Sequence, residues 1–341
     1  MSAQENTQLR ILQPADTAQA KALWLEAFPE DADGFADFYF REGYAQDRYW
    51  GLFSGEGLLS MAGVSCRKMQ FPGGAVPVGL LRGVATRKSA QGQGYSTRLL
   101  GACLRQLAEE GVPMAALKTF IPAFYERLGF AAASYRSEEE IVVRTDERTA
   151  QGFSFYAREA DIPTAVREAV AACYRRYIAG KAVFLQRAEA DFHLRYAELL
   201  DLNAGVLCVH RDAAGEVDGY FLAYDGGAGT LYAEELLCCA PMQPADFAPA
   251  LRRLGVSVLR YKGFSGKTPD AMLRVLDMRR FFERAEMPRG ISVRDSLFAG
   301  NNGYWKASGD MPVTAEARTP GQAAVSLLIR AGQPVGIFEE Y

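Results

Sequence analysis

Thirteen residues between an apolar stretch and an amphipathic one carry the clearest chemistry: Val84-Ala85-Thr86-Arg87-Lys88-Ser89-Ala90-Gln91-Gly92-Gln93-Gly94-Tyr95-Ser96. Val78 to Val84 reads as a strand, and Ser96 to Glu110 as a helix closed by Gly111. Gly92 and Gly94 leave the backbone N–H groups between them unobstructed, at the point where a helix begins. Orphan N–H groups and the helix dipole both favour negative charge there, so the loop is a ready anion site, suited to the diphosphate of a cofactor. A second group of residues, Phe124-Tyr125-Glu126-Arg127-Leu128-Gly129-Phe130, sets a phenol on a short helix begun by Pro122 and stopped by Gly129. A phenol of pKa about 10 can hand a proton to a thiolate whose acid has pKa about 8.5, a mismatch near 2 kcal/mol that a positioned donor tolerates.

A dinucleotide fingerprint needs a third glycine, but Gly92-Gln93-Gly94-Tyr95-Ser96-Thr97 ends in threonine and follows hairpins rather than a βαβ unit. Gly266-Lys267-Thr268 resembles the end of a phosphate-binding P-loop, yet Tyr261 stands where that motif needs glycine. The remaining alternatives are a plain structural turn for the loop and a core tyrosine for Tyr125. No Gly-x-Ser-x-Gly elbow or cysteine–histidine pair points to covalent catalysis.

The elements that must hold these residues read as α/β. Leu9 to Leu12 is a short strand; Ala15 to Phe28, with Asp16 expected as its cap, and Phe35 to Tyr44 are helices. Tyr49 to Phe53 and Gly57 to Gln70 form a hairpin, Val78 to Thr86 the next strand, and Met114 to Phe120 another. Ala131 to Arg144 is expected to hold a last strand pair, with Glu138-Glu139-Glu140 at a solvated strand edge. From near Gly152 a similar order returns: helices at Ile162 to Ala172 and Glu189 to Leu200, a hairpin of Val206–His210 and Val217–Tyr224, a strand at Thr230–Leu237 and a helix at Pro244–Leu254. This order indicates a degenerate internal duplication. Its loop, Cys238-Cys239-Ala240-Pro241-Met242-Gln243-Pro244, has two prolines and no glycine, so it should not hold a phosphate.

Bulk properties exclude several classes. The chain's 341 residues exceed one ordinary core and imply two or three domains. With 38 basic and 41 acidic residues and a net charge of −3, nothing drives nucleic-acid binding. No apolar run approaches the ~18 residues of a membrane helix, and no signal-peptide core is seen. Six cysteines without a Cys-x-x-Cys pair, and two histidines, point to reduced thiols in a cytoplasm rather than disulfides or a metal site.

Gln91, Gly94 and Ser96 fill the three fixed places of Gln-x-x-Gly-x-Gly/Ala, with serine a mild departure at the last. On this loop, set between a strand and a long helix, the chain resembles the GCN5-related N-acetyltransferase (GNAT) superfamily. The resemblance implies acetyl-CoA as co-substrate, held by the loop at Gln91, Gly92, Gln93, Gly94, Tyr95, Ser96 and Thr97. It also implies that Val84, Ala85 and Thr86 pair with the pantetheine arm, and that Tyr125 is the general acid. The three-part order further resembles the Eis (enhanced intracellular survival) branch: an acetyltransferase domain over 1–150, a degenerate second copy over 151–268, and a sterol-carrier-like domain over 269–341. That branch implies that the terminal carboxylate of Tyr341 is the general base and that Glu340 lies at the amine site. Phe28, with Glu30, Asp31, Asp33, Phe35 and Tyr39, could line a pocket for a cationic amine. It also implies a homo-oligomer, commonly a hexamer, and small-molecule or peptide amines as acceptors. A non-catalytic CoA- or lipid-binding protein, or an enzyme using a different acyl-CoA, are the alternatives.

Overall fold

The computed structural model describes residues 7–55, 57–71, 74–143, 151–179, 181, 183–284, 291–305, 318–328 and 335–336. Its elements in chain order are β1 (Gln8–Ile11), α1 (Thr17–Ala27), α2 (Phe35–Glu42), β2 (Arg48–Ser54), β3 (Gly57–Phe71), β4 (Gly74–Thr86), α3 (Tyr95–Glu109), β5 (Met114–Lys118) and α4 (Pro122–Glu126). There follow β6 (Ala131–Val142), β7 (Phe153–Tyr156), α5 (Thr164–Ala179), β8 (Val183–Leu185), α6 (Glu189–Tyr196), β9 (Val206–Arg211), β10 (Val217–Asp225), β11 (Thr230–Cys238) and α7 (Ala248–Arg253). The last are β12 (Val258–Val275), α8 (Met278–Arg284), β13 (Ile291–Val293), β14 (Gly303–Trp305), α9 (Pro320–Leu328) and β15 (Val335–Gly336).

The chain divides into two compact units, one of 1–134, 182–186 and 269–341, the other of 135–181 and 187–268. The described residues of 269–341 group with the first unit. Here the strand order is β1-β2-β3-β4-β5, continued by the 271–275 end of β12. All neighbours run antiparallel except β4 and β5, which run parallel. The pleat sorts side chains between the faces. Ala115 and Leu117 of β5 join Leu99, Cys103 and Leu107 of α3, while Met114 and Ala116 join Phe281 of α8 and Ala323 of α9. A third cluster packs α1 and α2 on Tyr49, Phe53, Met61 and Ala85 through Trp24 and Tyr39.

In the second unit the order is β7-β9-β10-β11, followed by the 258–261 start of β12, with only β11 and β12 parallel. Each unit therefore runs through an antiparallel hairpin, a further strand, a helix and a parallel strand, as the suspected duplication requires.

Local departures have physical causes. Asp16 does not cap α1 with its side chain; it accepts bonds from Arg10 and from Gln13 N–H at 2.8 Å, closing the 3-10 turn before the helix. Ala131–Val142 is one strand rather than a pair. Glu138 and Glu140 are exposed on it, but Glu139 turns inward and accepts from Tyr261 Oη at 2.8 Å. Gly266-Lys267-Thr268 lies inside the extended strand β12.

Candidate active site

The site begins with a break in strand pairing. β4 and β5 pair only over Val78–Leu80 and Met114–Ala116. From Leu81 to Thr86 the β5-facing edge of β4 continues with no described strand beside it, leaving main-chain groups for an extended ligand. On its other edge, Gly83 and Val84 together face Ala62 of β3, a bulge in the register. Gly83 adopts φ +54°, and a Cβ there would stand 2.4 Å from the Trp24 ring. Beneath the bulge, Arg82 and Asp47 are buried at 3.4 Å, and Asp47 also accepts from Tyr39 Oη at 2.9 Å, which touches Tyr49 Oη at 2.8 Å. Burial pushes the Tyr39 and Tyr49 hydroxyls well above the ordinary tyrosine range.

At the end of β4 the chain turns through Lys88–Ala90 and two left-handed glycines, Gly92 at φ +74° and Gly94 at φ +80°. Neither glycine has an atom within 4 Å of where a Cβ would lie. Gly94 stands at the N-cap of α3, with no side chain capping the helix, and the first helical bond runs from Arg98 N–H to Gly94 O at 3.0 Å. The N–H groups of Gly94, Tyr95, Ser96 and Thr97 therefore have no acceptor among the described residues. Gln91, Gly92, Gln93, Gly94 and Thr97 are exposed.

Hydroxyls fix this turn to the strand. Ser60 Oγ lies 2.7 Å from Thr86 Oγ1, and Thr86 Oγ1 lies 2.6 Å from Ser96 Oγ. The serine that departs from the motif's small residue thus joins β3, β4 and α3 in one chain of hydrogen bonds. Gln91 Nε2 donates to Thr86 O at 3.2 Å, folding the loop back on the strand end. Ala85 and Thr86 are buried, while Val84 is half-buried.

Tyr125 sits on α4 in the same apolar cluster as Leu81, Tyr95, Leu99 and Leu117, with Phe124 edge-on at 4.9 Å. Its hydroxyl has no hydrogen-bond partner among the described residues, and burial pushes its pKa up to about 12. The turn after α4 is gripped from the C-terminal segment: Gly321 N–H donates to Gly129 O at 2.7 Å. Buried Arg274, paired with Asp295 at 2.6 Å, lies against Gly129, where a Cβ would stand 2.3 Å from its Nη1.

Phe28 ends α1 and packs on Trp24 at 5.1 Å, in the cluster that reaches Gly83 rather than the one that holds Tyr125. Trp24 Nε1 donates to Asp31 at 2.6 Å, and burial raises the Asp31 pKa against that bond. Tyr39 is fully buried and serves the core. Glu340 and Tyr341 lie outside the described residues. The sequence reading did not single out Lys118 at the end of β5, which faces Asp270 at 3.8 Å, nor the Asp47–Arg82 pair. Each joins residues from separate elements, and no local spacing signals them.

Residues 8–133 match the family model described as an acetyltransferase (GNAT) domain. A curated relative, an uncharacterized N-acetyltransferase from Streptomyces coelicolor, is 25% identical over 335 residues, 85% of this chain and 80% of the relative. A GCN5-related N-acetyltransferase from Anabaena variabilis shares the fold at TM-score 0.74 and 12% identity, covering 98% of this chain and 100% of that one. Eis1 from Mycobacterium abscessus shares it at TM-score 0.67 and 17% identity, over 94% and 89%. The N-terminal part of this chain is a GNAT acetyltransferase domain, and the chain is an acyl-CoA-dependent acetyltransferase.

Proposed function

We propose that this enzyme, built on a GNAT domain over residues 8–133, moves acetyl from acetyl-CoA to a primary amine by direct transfer, in the manner of the Eis branch. The observation that carries the reading is the glycine turn whose unpaired N–H groups open the α3 helix where β4 runs on without β5. In this reading the loop over Gln91–Thr97 binds the diphosphate, with main-chain N–H groups from Gly92 onward as donors, and the free edge of Val84–Thr86 takes the pantetheine arm. An N–H on that edge meets the oxyanion as the amine nitrogen bonds to the thioester carbon. The C–S bond then breaks, the leaving sulfur takes the Tyr125 proton, and the amine loses its proton to a base.

The base is the terminal carboxylate of Tyr341. An α-carboxyl group has a pKa of about 3.3–3.7, so this role requires burial or the neighbouring Glu340 to raise it. Phe28 and Glu340 border the acceptor. The wider reading keeps the three-part organisation over 1–150, 151–268 and 269–341, a sterol-carrier-like last part, a cytoplasmic location and a homo-oligomer, the hexamer of the branch.

Thiol release from acetyl-CoA, measured against polyamines, aminoglycosides and lysine peptides, tests the activity. Tyr125→Phe should lower kcat by about 10²–10⁴-fold with little change in KM for acetyl-CoA, and removing Tyr341 should lower kcat as well. Full rates in both variants would overturn the assigned roles. Because burial holds the Tyr125 proton to about pH 12, the rate should show no alkaline loss from Tyr125 at pH 7–10. Binding of CoA with no thiol release across the panel would instead mark a carrier.

A further inference from the structure

The end of β11 and the loop after it hold two adjacent cysteines, Cys238 and Cys239, that the acetyl-transfer chemistry does not use. Cys239 Sγ lies 3.7 Å from Cys173 Sγ, and its thiol is directed toward Cys173 O at 3.5 Å. Both residues belong to the second unit. We propose that Cys173 and Cys239 form an oxidisable dithiol that a peroxide closes to a disulfide, stapling α5 to this loop.

The backbone at Cys239 is already fixed. Its N–H donates to Asp218 O at 2.7 Å, and its carbonyl accepts from Met242 N–H at 3.0 Å. A disulfide needs an S–S length of about 2.05 Å, so the sulfurs have roughly 1.7 Å to close, within reach of side-chain rotation and a small loop shift. The adjacent Cys238 ends β11 and packs with the cluster of Phe247 and Leu251. Neighbouring residues on a strand point to opposite faces, which sets Cys238 away from α5.

Access orders the steps. Cys239 is half-buried, whereas Cys173 is fully buried in α5, where burial and the neighbouring Cys239 push its thiol pKa well up. Cys239 is therefore the sulfur a peroxide meets first. Cys239 loses its proton and the thiolate attacks one peroxide oxygen; the S–O bond forms, the O–O bond breaks, and the leaving hydroxide takes up that proton, giving a sulfenic acid and one water. Cys173 sulfur then attacks Cys239 sulfur; the S–S bond forms, the S–O bond breaks, and hydroxide leaves with the Cys173 proton as water. Two thiols and one hydrogen peroxide become one disulfide and two waters. The raised Cys173 pKa makes the second step slow at neutral pH and faster as pH rises.

The test treats the full-length protein with one equivalent of hydrogen peroxide and titrates thiols after denaturation. Six thiols should fall to four (6 − 2), return to six with dithiothreitol, and yield a linked Cys173–Cys239 peptide pair under non-reducing mass spectrometry. Cys238→Ser should still lose two, leaving three (5 − 2), while Cys239→Ser and Cys173→Ala should form no intramolecular link. Six thiols surviving in the treated wild type, a Cys238–Cys239 link, or an intramolecular link persisting in Cys239→Ser would overturn the proposal.

Discussion

Two loops stand at the same place in the same order of elements, after the hairpin and before the helix of each unit, and they use their N–H groups in opposite ways. Between β4 and α3, two left-handed glycines and an uncapped helix start leave the donors of Gly94–Thr97 open. Between β11 and α7 three donors are consumed internally: Cys239 N–H by Asp218 O, Met242 N–H by Cys239 O, and Gln243 N–H by Asp246 Oδ2 at 2.8 Å. Pro241 and Pro244 contribute none, and Met242 is buried against Gly219. The lesson is that strand and helix order alone does not make an anion site. The site requires donors that the fold leaves unpaired.

The two units also carry comparable buried ion pairs, and removing them gives the largest expected effects. Burial opposes ionisation of Glu235, yet Arg187 at 2.7 Å holds its pKa below the ordinary value. Asp47→Ala and Glu235→Ala each deprive a buried guanidinium of its carboxylate and should each cost about 3–5 kcal/mol in denaturant unfolding. Only Asp47→Ala should also slow acetyl transfer in the surviving folded fraction, because Asp47 supports the Gly83 bulge of β4 while Glu235 lies in the other unit. Equal loss of transfer in both would erase that distinction.

A charge placed in each loop sharpens the contrast more selectively. Aspartate tolerates positive φ, and open space surrounds Gly92. Gly92→Asp should therefore fold and raise KM for acetyl-CoA by about 5–1,000-fold, the range of ~1–4 kcal/mol for like charges near 4 Å. Gly92→Asn should change it little, and Ala240→Asp in the second loop not at all. Unchanged KM in Gly92→Asp would remove the diphosphate from this loop.

The smallest effect is a pH dependence. The hydrogen bond from Arg10 lowers the Asp16 pKa to about 2, against an ordinary value near 3.8. A carboxylate with a depressed folded pKa adds stability above its unfolded pKa and loses it as pH falls through the folded one. The thermal midpoint should therefore drop between pH 4 and pH 2, and Asp16→Asn should flatten that acid limb. An unchanged limb in the variant would show that Arg10 and Asp16 do not couple to folding.

The site was legible where its chemistry lies in contiguous residues. Gln91 to Ser96 announces a glycine turn at a helix start, and Pro122 to Gly129 frames the Tyr125 helix, because glycine and proline act through local backbone geometry. What stayed hidden depends on distant partners. The strand β12 runs through Lys262-Gly263-Phe264-Ser265-Gly266-Lys267-Thr268-Pro269-Asp270, a polar, glycine- and proline-bearing stretch that tertiary pairing overrides into a strand. Nothing near Gly129 in the sequence predicts that Gly321 and Arg274 would hold its turn. The Ser60–Thr86–Ser96 hydroxyl chain, too, explains the serine in the motif only once three elements are brought together.

Amide hydrogen exchange with and without coenzyme A reads out whether the loop's N–H groups hold the diphosphate. Exchange should slow at Gly92 to Thr97 when coenzyme A is bound and stay unchanged at Cys239 to Gln243. Bound coenzyme A that leaves residues 92–97 exchanging at their free rate would contradict that contact.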